Sequence, residues 1–162
     1  MSQNFDDYLK KESPQYRYKE IALTAKSYKN MDHELDDKDT NCELATYGDA
    51  LLKLALCDIL FEDGVENITT EKQDYESDEV LVKVVARHYN LLNKVRYDKN
   101  DDKIPQNYDY KKDKKDAYKY IATAVEALIA SYYLDNGKNF ELVLNLAEEW
   151  KKLIDYEKSL ER

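Results

Sequence analysis

Glycine and proline are scarce in this chain of 162 residues, with three of the first and two of the second. So few turn-formers argue against a many-stranded sheet, and the segments rich in Leu, Ala, Lys and Glu point to an all-α fold. The two cysteines, Cys42 and Cys57, lie on one predicted helix about 22 Å apart at ~1.5 Å per residue, so they cannot bridge one another. No apolar run spans a membrane, and the N-terminus MSQNFDDYLKKE has no hydrophobic region. A helical membrane span and a signal peptide are thereby excluded, and a cytoplasmic location is expected. Positive charge is also short, 25 Lys and Arg against 34 Asp and Glu for a net charge of −9. A protein that grips nucleic acid over its whole surface is therefore not expected, although a local basic track is not excluded. The one candidate is residues 111–119, KKDKKDAYK, with Lys111, Lys112, Lys114 and Lys115; by charge pattern alone it reads as a solvated junction between loop and helix.

What the chain does have is apolar content, 43% of its residues, enough for one domain with a real core over residues 1–162. The polar lead of residues 1–15 frames a short helix around Phe5, Tyr8 and Leu9, broken at Ser13-Pro14. Tyr16 to Asn30 reads as one amphipathic helix through Tyr18, Ile21, Ala22, Ala25 and Tyr28. An acidic connector follows, in which Asp39 or Thr40 can cap the helix of Asn41 to Phe61. That helix, NCELATYGDALLKLALCDILF, carries apolar residues three and four apart and is the element around which the rest is organised. Gly48 within it gives up roughly 1 kcal/mol relative to Ala, so a close helix crossing or a site beside Asp49 must justify it. Glu62 to Ser77 reads as a polar connection, Ser77 to Val95 as an amphipathic helix, and Tyr97 to Asp113 as a loop. Lys114 to Leu134 gives the next long helix, stopped at Gly137, and Asn139 caps a last one from Phe140 to about Leu160. The 15 tyrosines scatter along every segment and read as packing residues, and neither His33 nor His88 has a partner at zinc spacing.

Three blocks, in order, resemble the ribonuclease III family. ALTAKSYKN (Ala22 to Asn30) is similar to the A-L-T-H-x-S-Y-x-N helix near the start of those domains. Asn41, Leu44, Gly48, Asp49, Ala50 and Leu52 match the signature helix N-E-R-L-E-F-L-G-D-A-V-L. ATAVEALIASYYLDNG (Ala122 to Gly137) is similar to the second motif helix, A-D-T-x-E-A-L-I-G-A-x-Y-L-D-x-G. Four carboxylates surround the metal in the best-known members; the corresponding set here is Ala45, Asp49, Thr123 and Glu126. Glu43 cannot replace the first, because six residues before Asp49 it lies roughly 120° away around the helix. The compact Mini-ribonuclease III enzymes share this reduced pattern, reading A-Y-x-G-D-A and T-A-F-E-A-L. Ala45, Tyr47 to Ala50, Thr123-Ala124 and Glu126 to Leu128 resemble them, although those enzymes lack the first block.

The resemblance implies an all-α endonuclease domain with catalytic, metal-binding Asp49 and Glu126 and with Mg²⁺ as cofactor, Mn²⁺ substituting. Mg²⁺ keeps several waters and is often held by one or two carboxylates plus substrate phosphate, so two can suffice. Thr123, one turn before Glu126, can hydrogen-bond a water on the metal. The implied activity is cleavage of double-stranded RNA by a homodimer, leaving 5′-phosphate and 3′-hydroxyl ends. No double-stranded-RNA-binding domain is expected, so RNA would be held by the dimer groove, by the lysines of 111–119, or through a partner protein. A different reading of the missing carboxylates is a catalytically silent module that dimerises or binds structured RNA.

Overall fold

A computed structural model describes residues 4–101 and 118–161. Its α-helices are α1 (Phe5–Lys10), α2 (Arg17–Ala22), α3 (Cys42–Glu62), α4 (Ile68–Glu76), α5 (Asp78–Val80), α6 (Lys119–Asp135) and α7 (Phe140–Leu160). A π-helical turn over Leu81–Ala86 continues α5, and short 3₁₀ turns cover Lys26–Asn30, Asp37–Asp39 and Leu91–Asn93. No strand occurs among the described residues beyond one isolated bridge, Thr24 to Arg96. The fold is all-α.

The α3 and α6 helices form the central pair, with α2, α4, α7 and the π turn packed around them. Leu52, Leu56 and Leu60 on α3 meet Ile121, Val125, Leu128 and Ile129 on α6, all essentially without solvent contact. The α7 helix lays Val143, Leu146, Ala147, Trp150 and Ile154 onto this pair, with the indole N–H of Trp150 donating to the Tyr89 hydroxyl at 3.0 Å. Asn139 caps α7 by accepting from the Glu141 N–H, as its sequence position suggests. At the end of α6, Gly137 takes φ +71°, a conformation that favours glycine and closes a helix.

The polar N-terminal lead is part of this core. Asn4 caps α1 through the Asp7 N–H, and Phe5 packs edge-on against Tyr89, Tyr132 and Trp150. The hydroxyl of fully buried Tyr8 donates to Asp135 at 2.6 Å. The other carboxylate contacts of Asp135 are the N–H groups of Tyr18 and Lys19 at the start of α2. Lys19 is buried too; its ammonium donates to the carbonyls of Tyr8 and Lys11 and lies over the rings of Tyr8 and Tyr16.

Four readings of the sequence need correction. The expected helix Tyr16 to Asn30 ends at Ala22, because distant backbone takes its hydrogen bonds. Arg96 donates to the Leu23 carbonyl and accepts from Ala25, while the Asn41 N–H takes the Thr24 carbonyl. Neither Asp39 nor Thr40 caps α3: Asn41 occupies the cap position, and its side-chain amide instead donates to the Ala22 carbonyl. Residues 68–76 are helical, capped by Asn67 and held by the Tyr75 hydroxyl on Asp155 at 2.6 Å. The expected Ser77 to Val95 helix is interrupted by the π turn and ends where Asn90 adopts φ 54°.

The central pair depends on one position without a side chain. A Cβ at Gly48 would lie 1.7 Å from the Glu126 carbonyl oxygen and 3.3 Å from the Ala130 nitrogen, both backbone atoms of α6. No rotamer relieves such a clash, so the helices must separate. Gly48→Ala is therefore expected to destabilise the protein by about 3 kcal/mol or more despite improving helix propensity; urea denaturation checks this, with an unchanged midpoint as the contrary outcome.

Candidate functional site

The close crossing at Gly48 sets the site. Asp49 follows Gly48 on α3, and the carbonyl that Gly48 approaches belongs to Glu126 on α6, so both candidate carboxylates sit at the same crossing. Both side chains are partly exposed, and the charge of Asp49 acts on Glu126. Burial first, then the charges of Asp49, Asp78 and Glu76, push the Glu126 carboxyl up to about 7 against a partial opposing effect of Lys53. Among the described residues it has no hydrogen-bond or ion-pair partner.

Asp49 is in a different state. Both its oxygens accept from the Lys53 ammonium, at 2.5 and 2.6 Å, one helical turn along α3. Burial lowers the affinity of Lys53 for its proton, but the Asp49 carboxylate more than offsets this and its pKa is raised. Glu76 and Asp78, at the junction of α4 and α5, add negative field. One oxygen of Glu76 pairs with Lys72, and the other is buried without a hydrogen bond among the described residues.

The sequence missed Lys53, Glu76 and Asp78. Lys53 had a signal, since a lysine four residues after Asp49 must share its face of the helix. Glu76 and Asp78 had none, because residues 62–77 read as a connection and nothing local aims them at α6. Ala45 is buried in the core. Thr123 is half-buried, and its hydroxyl donates to the Lys119 carbonyl, leaving only lone pairs to accept from a water. Glu43 is exposed on the first turn of α3. Lys111, Lys112, Lys114 and Lys115 lie outside the described residues.

The ribonuclease III domain model matches residues 43–137, more than half of the chain and including the whole α3–α6 crossing. The chain belongs to the ribonuclease III family. Its members are double-strand-directed endoribonucleases that in general depend on divalent metal, and the match includes α3, α4, α5 and α6. The segments α1, α2 and α7 that brace the ribonuclease III crossing fall outside it.

A divalent cation fits the donors at this crossing. No group of three or more His, Cys, Asp or Glu is arranged to share a metal among the described residues; the crossing itself offers the two carboxylates of Asp49 and Glu126. Two hard oxygen donors with open solvent beside them suit Mg²⁺, which retains water ligands. The burial and negative field that penalise ionised Glu126 are the conditions a cation relieves.

A raised carboxylate pKa makes two signs predictable. Native Glu126 binds its proton more tightly than the unfolded chain does, so its contribution to stability is present at low pH and lost as pH rises between the ordinary glutamate value of 4.5 and about 7. Glu126→Gln is expected to melt at a temperature less dependent on pH in that window. Metal must displace that proton, so Mn²⁺ affinity of the wild type is expected to fall as buffer is taken from about pH 8 to about pH 6. Calorimetric titration and melting curves read both, and a pH-independent affinity would contradict the assignment.

Proposed function

We propose that this protein is a divalent-metal-dependent endoribonuclease that cuts double-stranded RNA as a homodimer, with Asp49 and Glu126 as its metal-binding catalytic carboxylates. The observation that carries the reading is the Gly48 crossing, which brings the two surviving family carboxylates to one place, where Glu126 is half-buried, without a hydrogen-bond or ion-pair partner among the described residues, and held under negative field. Mg²⁺, with Mn²⁺ as substitute, would supply Lewis-acid polarisation of the scissile phosphate and of the attacking water. Asp49 and Glu126 would hold that cation, and both would be ionised to do so. Thr123 accepts a hydrogen bond from a water without adding charge. Weaker metal affinity than in a four-carboxylate site follows, and 5′-phosphate and 3′-hydroxyl ends are the expected products.

The homodimer reading rests on the outward face of α3. Tyr47, Leu54 and Phe61 are 42%, 52% and 73% exposed and stand seven residues apart, on one stripe. Ala55, not Leu54, faces the interior. A self-complementary stripe of this kind suits a two-fold interface, which needs a single patch. Paired in that way, two crossings would face one duplex, recognised by shape, phosphates and 2′-hydroxyls rather than by sequence. RNA-binding help from Lys111, Lys112, Lys114 and Lys115, or from a partner protein, belongs to the same proposal. The second reading, a silent dimerising or RNA-binding module, is favoured by the ion pair that already neutralises Asp49.

Asp49→Asn and Glu126→Gln are each expected to lower duplex cleavage by about 1,000-fold or more while leaving helix content intact. Wild-type cutting by either variant would remove it from the site, and no cutting by the wild type in Mg²⁺ or Mn²⁺ would favour the silent module. Thr123 is the accessible place to restore a carboxylate, since Ala45 is buried. Thr123→Asp should lower the Mg²⁺ concentration for half-maximal rate.

Leu54→Glu tests assembly separately. Light scattering is expected to shift from a mass near twice 19.1 kDa to that of one chain, with double-strand cutting lost. A wild-type monomer that cuts both strands together would refute the arrangement.

A further inference from the structure

Lys53 has no part in the reading above, although its ammonium is bound to both oxygens of one proposed metal ligand. Pairs four apart on a helix are commonly minor surface contacts, and this one is 44% and 38% exposed. Its surroundings set it apart: the Lys53 charge also acts on Glu126, and Glu76 acts on Lys53. An ammonium donating to both Asp49 oxygens occupies one lone pair of each and crowds the carboxylate, and two cations on one carboxylate repel. Occupation of Asp49 by a divalent ion therefore requires the ammonium to leave. Its four-carbon stem keeps it within reach of the same open face of α3, where a phosphodiester is the anion that approaches. Two carboxylates are neutralised by one divalent ion, so Lys53 supplies the surplus positive charge that such a phosphate meets.

We propose that Lys53 is a built-in cation of the site, which competes with divalent metal for Asp49 and binds a backbone phosphate of duplex RNA once displaced. The proposal rests on the metal-dependent nuclease reading, and its two halves predict opposite changes. In Lys53→Met, which keeps the stem and removes the charge, RNA-free protein is expected to bind Mn²⁺ about fivefold more tightly by calorimetry. Single-turnover duplex cleavage at saturating Mg²⁺ is expected to fall roughly 100-fold, with Lys53→Arg keeping most of the rate. A merely structural ion pair would alter neither. Unchanged Mn²⁺ affinity in Lys53→Met, or full-rate cleavage, overturns the proposal, as does a wild type that binds no Mn²⁺. Should the wild type bind Mn²⁺ and cut no duplex, the nuclease reading fails alone; the proposal is then decided by whether Lys53→Met gains Mn²⁺ affinity and loses affinity for uncut duplex.

Discussion

The approach of Gly48 to the backbone of Glu126 is the constraint on which the rest of the molecule depends. Two helices that touch through main-chain atoms are fixed in separation more tightly than side-chain packing alone would fix them. Here that fixed point lies beside Asp49 on one helix and at Glu126 itself on the other. The packing constraint and the candidate chemistry thus occupy the same residues. The leucines of α3 at 52, 56 and 60 extend the contact away from this point into the interior; the carboxylates lie where it opens to solvent.

The electrostatic condition of the crossing follows from that packing. Burying Glu126 against α3 while Asp49, Glu76 and Asp78 remain nearby makes its ionised form unfavourable, a cost that a stable core would ordinarily avoid. Elsewhere the same chain resolves its buried polar groups well. Asp135 is met by Tyr8 and by two backbone N–H groups, and Tyr75 by Asp155. An unfavourable charge kept beside such satisfied groups is what makes the crossing a candidate for binding.

The long elements were legible because their information is local. The α7 helix begins and ends where Asn139 and the apolar stripe say it should, and the Asn41 to Phe61 reading differs from α3 by one residue at each end. Asp49 and Glu126 stand as candidates through their match to the family motifs, and Gly48 stood out through its low helix propensity. The rest was decided at long range. The sequence around Leu23 suits a helix well, yet the Arg96 backbone breaks it. The α4 segment carries too few apolar residues to show a period, since Tyr75 alone is buried there. Because α3 is apolar on several sides, periodicity alone could not tell its interior face from the stripe of Tyr47, Leu54 and Phe61. Lys53 was in plain view, but only its distance from Asp49 makes it part of the site.

The packing of α1 on helices that follow it by more than a hundred residues sets an order of assembly during synthesis. Phe5 requires Tyr132 and Trp150 as its neighbours, and Tyr8 requires Asp135. The α1 helix therefore leaves the ribosome long before the residues it packs on and is among the last of these elements to find its place, and it carries two aromatic rings through the interval. At ~5–20 residues per second the wait lasts several seconds or more. Over that time the nascent chain presents an uncovered aromatic surface, which disappears once the closing helices arrive.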